Sequence, residues 1–108
     1  APTILEAAGL KMPPHMQGAS FVPLLTREDI PWRDRIFYEY YWEMDFPQTP
    51  TMFGIRTERF KYIRYHGVWD TNEFYDLEAD PHEMQNLIDA PEHQERIEEY
   101  ANEVFEWL

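Results

Sequence analysis

The chain contains no cysteine, which excludes disulfides, thiolate metal sites and a thiol nucleophile and leaves the redox compartment open. Long apolar runs are also missing, because none approaches the roughly 18 residues that a membrane-spanning helix needs. No secretory signal is visible, and since Ala1 resembles an internal position we expect any signal to lie upstream of it. With 108 residues, the chain is long enough to bury one small core.

Basic side chains are scarce in the last third of the chain. Residues 73–108 hold twelve acidic side chains and one basic one, Arg96, for a net charge of −11, whereas residues 1–72 carry −1. Nucleic acids and anionic membranes both require clustered Lys and Arg, so this acidic end argues against either as a partner. We interpret it as the solvated face of a helix that keeps the protein soluble.

Aromatic residues are plentiful, at 17% of the chain, and they fall in short segments of alternating polarity. This alternation predicts four strands, over residues 35–42, 51–57, 60–65 and 73–77. A tight turn joins the second and third strands into a hairpin, and residues 67–71 turn the chain toward the fourth. Aromatic side chains occupy both faces of the first strand, which indicates that both faces are covered.

Helix signals lie on either side of these strands. Pro2 and Gly9 suit the start and the end of an N-terminal helix, and residues 19–25 predict a single helical turn after an irregular, Pro-rich segment. The predicted fold class is therefore α+β: a four-stranded antiparallel sheet packed with a C-terminal amphipathic helix, plus an N-terminal helix and irregular segment.

Two helix starts are predicted near the C-terminus. Asp80, Pro81 and Glu83 match a capping box, so we interpret Asp80 as an N-cap, and a second start follows at Asp89. The last helix is expected to bury one apolar stripe, made of Ile97, Ala101, Val104, Phe105 and Leu108.

Five blocks in order resemble a known family. Residues 73–87, EFYDLEADPHEMQNL, are similar to the pattern ELYDL-x-x-DP-x-E-x-x-NL near the C-terminus of type I sulfatases. Residues 54–63 resemble the pattern G-[IV]-R-T-x-R-[YF]-K-Y-I, and residues 1–9 and 16–25 resemble PTIL-x-x-AG and QG-x-S-L-x-P-L-L of the same family. Residues 32–39 resemble the segment that enters the C-terminal subdomain. The resemblance covers the chain from residue 1 to about residue 90.

The resemblance implies two domains, of which only the first carries catalysis. In the family an alkaline-phosphatase-like α/β core carries catalysis, with a formylglycine made from cysteine or serine and a calcium ion, and a smaller C-terminal subdomain has a four-stranded sheet and a long helix. Residues 1–31 would then end the catalytic core, and residues 32–108 would form the subdomain. No catalytic or metal-binding motif of the core has a counterpart here. The resemblance also implies a periplasmic, secreted or lysosomal-type location.

The loop between the first two strands is the preferred functional element, because loops on a rigid scaffold often carry specificity. It spans Trp42 to Thr51, offers Gln48, Thr49 and Thr51 as polar groups, and is stiffened by two prolines. Trp42 could stack on a sugar ring, or it could be buried at the strand end.

Other candidate substrate-binding residues lie outside this loop. Arg56 belongs to the chain's one basic cluster, with Arg59, Lys61 and Arg64, which either attracts an anionic sugar or forms ion pairs across the hairpin or with the acidic last helix. His66 follows the third strand and could face a cleft. His15, His82 and His93 are expected to be solvated or in a loop, and no His spacing predicts a metal site.

These observations predict the C-terminal fragment of a sulfatase-family hydrolase that cleaves sulfate esters or sulfamates, with its own N-terminal catalytic domain and a sulfated carbohydrate as partners. The fragment would be inactive alone and would expose an apolar face around Ile4, Leu5, Phe21 and Leu24. An alternative is a free-standing module that binds carbohydrate or protein without catalysis. A second alternative is a relative in the alkaline phosphatase superfamily that cleaves phosphate or phosphonate esters.

Overall fold

A computed structural model describes residues 1–67 and 71–108, so most of the turn predicted at 67–71 lies outside the described residues. The chain divides into two compact units, residues 1–32 and residues 33–108. Within the described residues no helix is long and apolar enough to cross a membrane.

The first unit contains the predicted N-terminal helix and helical turn. Helix α1 spans Pro2–Ala7 and α2 spans Val22–Leu25. Gly9 follows α1 with φ +70°, a left-handed conformation that glycine adopts readily, and so ends the helix as predicted. Of the apolar side chains expected at the surface, Leu5 is half-buried, and the other three are exposed: Ile4, Phe21 and Leu24.

The second unit contains the predicted sheet. Its strands are β1 (Arg35–Tyr40), β2 (Met52–Thr57), β3 (Phe60–Tyr65) and β4 (Glu73–Asp76). They form an antiparallel sheet in the order β1-β2-β3-β4. The α+β fold class is thereby confirmed. Strand β1 ends two residues earlier than predicted, because the N–H of Trp42 donates to Thr51 Oγ1 at 2.8 Å across the mouth of the following loop.

The core lies between one face of the sheet and the last helix. The strand register aligns Phe37, Ile55, Tyr62 and Phe74 in one row across the four strands, and Phe74 at the end of the row is fully buried. Helix α3 (Gln94–Trp107), entered through a 3-10 turn at Pro91–His93, packs on this row with three buried side chains: Ile97, Tyr100 and Val104.

The stripe predicted for α3 is partly wrong. Phe105 and Leu108 are 73% and 56% exposed, whereas Tyr100, absent from the predicted stripe, is buried. Tyr100 lies three residues after Ile97 and four before Val104, so these three residues share a face that points toward the sheet. Its hydroxyl is 3.0 Å from Thr57 Oγ1, a polar contact that helix periodicity alone does not reveal.

The helix predicted to start at Asp80 is wrong, although the start near residue 89 is confirmed by the 3-10 turn that leads into α3. Asp80 Oδ2 does accept an N–H, from Gln85 at 2.8 Å, but it caps a turn. Glu83 has φ +54°, which a right-handed helix excludes. The chain instead runs beside β4, where Asn86 Oδ1 accepts the N–H of Phe74 at 3.0 Å and the N–H of Leu87 donates to Phe74 O at 2.8 Å.

Candidate functional site

The loop between β1 and β2 (residues 41–51, the 41–51 loop) is held in one shape by its own hydrogen bonds. Besides the bond from Trp42 to Thr51, the N–H of Phe46 donates to Glu43 O at 3.1 Å, and the N–H of Thr49 donates to Phe46 O at 3.0 Å. Two successive turns therefore bring the loop back to the end of the sheet. A loop fixed in this way loses less conformational entropy when it binds a ligand.

Trp42 is the largest side chain of the 41–51 loop. Its indole N–H donates to Pro47 O at 3.2 Å, yet 52% of the side chain is exposed. Burial at the strand end, one of the two alternatives for this residue, is therefore wrong. Three further apolar side chains of the loop are also exposed: Tyr41, Met44 and Phe46. The loop thus presents an apolar surface whose largest member is fixed in orientation by a hydrogen bond.

Gln48 and Thr49 differ in their surroundings. Gln48 is exposed, and Thr49 is half-buried beside Tyr40. Burial, followed by the hydrogen bond and charge of Glu43, raises the pKa of Tyr40, and the side chain of Thr49 opposes that rise through a hydrogen bond to the same hydroxyl. Tyr40 therefore remains a neutral phenol at neutral pH, and the side chains of Glu43 and Thr49 join it to the loop.

His66 lies at the same end of the sheet as the loop, and Arg56 lies at the other end. The N–H of His66 donates to Thr51 O at 2.9 Å, which places the residue next to the last residue of the 41–51 loop. Arg56 pairs in register with Ile36 and Lys61, four residues along β2 from Met52, or about 13 Å. The structure therefore brings His66 near the loop residues and separates Arg56 from them.

Two of the four residues of the basic cluster form ion pairs, but with partners that the sequence did not suggest. Arg59 donates to Asp76 at 2.8 Å and lies 3.4 Å from Glu78, and Lys61 pairs with Glu83. These acids belong to β4 and to the segment after it, so the expected pairing across the hairpin or with the last helix is wrong. Arg56 and Arg64 have no ion-pair partner within residues 1–67 and 71–108.

Asp76 is the buried centre of this pairing. Its carboxylate accepts hydrogen bonds from Arg59 and from the N–H groups of Glu78 and Ala79, at 3.1 Å and 3.3 Å. The Arg59 guanidinium, with further help from these N–H groups, holds the pKa of Asp76 below its usual range. Asp76 thereby joins the turn between β2 and β3 to the turn that follows β4.

Two tyrosines hold one carboxylate on the sheet face opposite α3, a cluster that the sequence analysis missed. The hydroxyls of Tyr65 and Tyr75 donate to the two oxygens of Glu73, at 2.7 Å and 2.8 Å. Burial, with the Glu73 carboxylate next, raises the pKa of Tyr75 to about 12. The spacing of Glu73 and Tyr75 signals a shared face, but the contribution of Tyr65 depends on the strand register.

The remaining histidines do not form a site. His93 is not solvated as expected, because its ring lies 5.5 Å from that of Phe74 and 5.9 Å from that of Phe60. His15 and His82 are exposed. Across the part of the chain that the structure describes, no three His, Cys, Asp or Glu side chains are grouped so as to hold a metal ion. These residues therefore do not fit a calcium ion, which the resemblance implies for the catalytic core.

Comparison with known proteins gives a consistent result. The family model for the C-terminal part of N-sulphoglucosamine sulphohydrolase matches residues 1–107. An N-acetylglucosamine-6-O-sulfatase of Bacteroides thetaiotaomicron is 37% identical over 105 residues, which are 92% of this chain and 18% of that protein. A solved structure of a protein in complex with its substrate, D-glucosamine-2-N,6-O-disulfate, is 34% identical with a TM-score of 0.80, covering 97% of this chain and 22% of that one.

A phosphonate monoester hydrolase of Agrobacterium radiobacter is also similar, with 26% identity and a TM-score of 0.73 over 97% of this chain and 23% of that one. The chain thus spans about a fifth of the length of the relatives that it matches. None of these similarities supports the free-standing binding module. The chain belongs to the N-sulphoglucosamine sulphohydrolase C-terminal family, a C-terminal subdomain of sulfatases in the alkaline phosphatase superfamily.

Proposed function

We propose that this chain is part of a hydrolase that cleaves sulfate esters or sulfamates of carbohydrates, and that it is inactive by itself. The observation that carries the proposal is the family match over residues 1–107. The substrate class is supported by a relative named as an N-acetylglucosamine-6-O-sulfatase and by the similar structure in complex with a disulfated glucosamine. We infer that the substrate is a sulfated amino sugar.

Residues 1–31 would end the catalytic core of the parent protein, and residues 32–108 would form the subdomain that supports it. The catalytic formylglycine and calcium ion would belong to the parent's core, outside this chain. Their chemistry there would be nucleophilic attack on sulfur and neutralisation of the sulfate charge. The chain itself contains no cysteine, and Asp80, Asp76 and His93 serve a turn cap, an ion pair and packing, respectively.

The 41–51 loop would form one wall of the substrate cleft. Trp42 offers an apolar surface on which a sugar ring can stack, and its fixed indole costs little entropy on binding. Gln48, Thr49 and His66 would hydrogen-bond the sugar's hydroxyl or sulfate groups from the same end of the sheet. Arg56, at the other end, would contact substrate only if a longer glycan extends along the sheet.

The test uses the full-length protein encoded by the gene that carries this chain. Sulfate release is measured from glucosamine 6-sulfate and from N-sulfoglucosamine, with the 108-residue chain assayed at equal concentration. We expect turnover by the full-length protein and none by the chain. Turnover by the chain alone would refute its inactivity, and a full-length protein without action on any sulfated sugar would refute the proposed function.

A second candidate function is hydrolysis of phosphonate monoesters, favoured by the similarity to the Agrobacterium radiobacter enzyme. The same assay decides between the two when an aryl phosphonate monoester is included. A kcat/KM for the phosphonate above that for every sulfated sugar would favour this second function. The first function predicts the opposite order.

A further inference from the structure

A groove rich in arginine lies at the end of the sheet opposite the 41–51 loop, where the turn between β2 and β3 meets α3. The groove has a volume of about 540 Å³, and Thr57, Phe60 and Tyr100 form part of its wall. Its charged side chains are four arginines and two acids: Arg33, Arg35, Arg59, Arg96, Asp34 and Glu58. Four of the chain's seven arginines thus line one groove, although the net charge of the whole chain is −12.

Two of these arginines lie over the same aromatic ring. The guanidinium carbon of Arg59 is 4.8 Å from the centre of the Phe60 ring, and that of Arg96 is 5.7 Å from it. Attraction between a cation and the face of an aromatic ring favours both contacts, so one ring brings two positive charges close together. Like charges at this separation repel each other, and an anion bound between them would relieve the repulsion.

Both guanidinium groups keep N–H donors for such an anion. Nε and Nη2 of Arg59 donate to Asp76 at 3.2 Å and 2.8 Å, and Nη1 of Arg96 lies 3.1 Å from Glu99. Nη1 of Arg59, and Nε and Nη2 of Arg96, donate no hydrogen bond to any residue that the structure describes. The two side chains are 54% and 48% exposed, so a ligand can reach them.

Arg35 differs from these two arginines. Its three guanidinium nitrogens all donate to carboxylates, two to Asp34 and one to Glu103. It therefore has little left to offer a ligand, and Arg59 and Arg96 are the residues on which a site depends.

We propose that this groove binds a sulfate group, held by Arg59 and Arg96 beside Phe60. The inference rests on the proposed function, because a hydrolase of sulfated sugars meets sulfate both on its glycan and as the ion that it releases. Guanidinium groups suit this chemistry, since their planar sets of N–H donors match the oxygens of an oxyanion.

The position of the groove favours a sulfate carried by a glycan of several sugars. Met52, next to the 41–51 loop, and Thr57, in the wall of the groove, lie five residues apart on β2, or roughly 17 Å. A single sugar is too short to contact both, whereas an oligosaccharide can reach from one to the other. The expected ligand is therefore a sulfated oligosaccharide.

The test measures binding to the full-length protein. Arg96→Gln is the main variant, because Arg59 also holds Asp76 and its replacement would disturb the fold. Arg96→Lys keeps the charge but loses the planar donors, and Arg27→Gln, at an exposed position, is the charge-matched control. The dissociation constant Kd of a fluorescently labelled, heparin-derived octasaccharide is measured by anisotropy in the first seconds after mixing.

We expect the Kd to rise roughly threefold to tenfold in Arg96→Gln, which loses one charge-assisted contact at a half-exposed site. Arg96→Lys should also weaken binding, and Arg27→Gln should leave the Kd nearly unchanged. Equal Kd values for Arg96→Gln and Arg27→Gln would overturn the proposal, as would a wild-type Kd in Arg96→Lys. Equally tight binding of a desulfated octasaccharide would overturn it too.

Competition identifies the source of the sulfate. Sodium sulfate is compared with sodium chloride at equal ionic strength, so that screening is the same in both. If the Arg96-dependent part of binding is lost only with sodium sulfate, the groove takes free sulfate. If it is retained in both salts and lost with unlabelled octasaccharide, the groove takes the sulfate group of a glycan. Either result supports the sulfate site.

Sulfate release is measured on the same proteins, so that the two proposals can fail separately. A protein that releases sulfate, with the same octasaccharide Kd in the wild type and Arg96→Gln, refutes the sulfate groove and leaves the hydrolase function intact. A protein that releases no sulfate, with binding weakened by Arg96→Gln and not by Arg27→Gln, refutes the function and supports the groove.

Discussion

The blocks at 54–63 and 73–87 and the 41–51 loop use their side chains in opposite ways. In the blocks that resemble the family, at 54–63 and 73–87, side chains bind one another: Arg59 with Asp76, and Lys61 with Glu83. In the 41–51 loop, hydrogen bonds fix the backbone while the large side chains stay exposed. The residues of these two blocks therefore specify the fold, and the residues open to a ligand lie in a loop between the blocks that resemble the family.

Phe74→Ala is expected to have the largest effect on the stability of these two blocks. The side chain is fully buried and stacks on Phe60 at 5.4 Å, so its removal leaves a cavity and should cost about 3–5 kcal/mol. Native-state hydrogen exchange of the β2 and β3 amides in the full-length protein measures this loss. Phe105→Ala, at an exposed position, serves as the control and should change stability by less than about 0.5 kcal/mol.

Asp76→Asn tests the ion pair that joins the two family blocks. We expect a loss of about 1–2 kcal/mol, reduced from a fully buried pair because Arg59 is half-exposed. Hydrogen exchange at neutral pH measures it, with Glu78→Gln as the exposed control. A loss no larger than that of Glu78→Gln would show that Asp76 does not hold the two blocks together.

Acid should weaken the same pair. Because the pKa of Asp76 is held below its ordinary value in the folded state, its stabilising contribution is complete above about pH 4 and is lost as the pH falls through the folded value. Urea unfolding of the wild type between about pH 5 and pH 2 should include this loss. In Asp76→Asn this part of the pH dependence should be absent, and an unchanged dependence would contradict the assignment.

Tyr75→Phe tests the carboxylate held by two tyrosines. It should cost about 0.5–1.5 kcal/mol at neutral pH by removing one donor to Glu73. The folded pKa of Tyr75 is about 12, above the ordinary value, so its contribution is complete below about pH 10 and is lost as the pH rises toward 12. Stability measured across that range should fall less in Tyr75→Phe than in the wild type. An equal fall in both proteins would exclude Tyr75 as its source.

Trp42→Ala should leave stability nearly unchanged and lower activity in the full-length hydrolase. Loss of one aromatic stacking contact, at about 0.5–1.5 kcal/mol, corresponds to a fall in kcat/KM of roughly twofold to thirteenfold. Met44→Ala, at an exposed position of the same loop, is the control. An equal effect of both substitutions would indicate general disturbance of the loop and would contradict a specific role for Trp42.

The strands were predictable because alternating aromatic residues and turn signals act locally. The helix predicted to start at Asp80 does not form because of tertiary contacts. Asn86 accepts a hydrogen bond from the backbone of Phe74, and Glu83 pairs with Lys61. These contacts outweigh the local capping pattern. Tyr100 was missed because helix periodicity alone does not decide which face of α3 packs on the sheet. That face is set by contacts with the sheet, such as the one between the Tyr100 hydroxyl and Thr57 Oγ1.

The position of the candidate loop was predictable, but the grouping of its partners was not. Whether His66 or Arg56 lies beside the loop depends on strand register, which pairs Tyr40 with Met52 and Met52 with Tyr65. The hydrogen bonds from Tyr65 and Tyr75 to Glu73 depend on the same register. A single sequence specifies the faces of each strand more strongly than it specifies the residues that meet across strands.

The most direct test of the contrast between the two regions measures kcat/KM and local stability for Asp76→Asn and Trp42→Ala together in the full-length protein, at a temperature well below unfolding. We expect Asp76→Asn to lose stability and keep its kcat/KM, and Trp42→Ala to keep its stability and lose kcat/KM. The reverse pattern, with lost turnover in a stable Asp76→Asn protein and destabilisation by Trp42→Ala, would contradict this expectation.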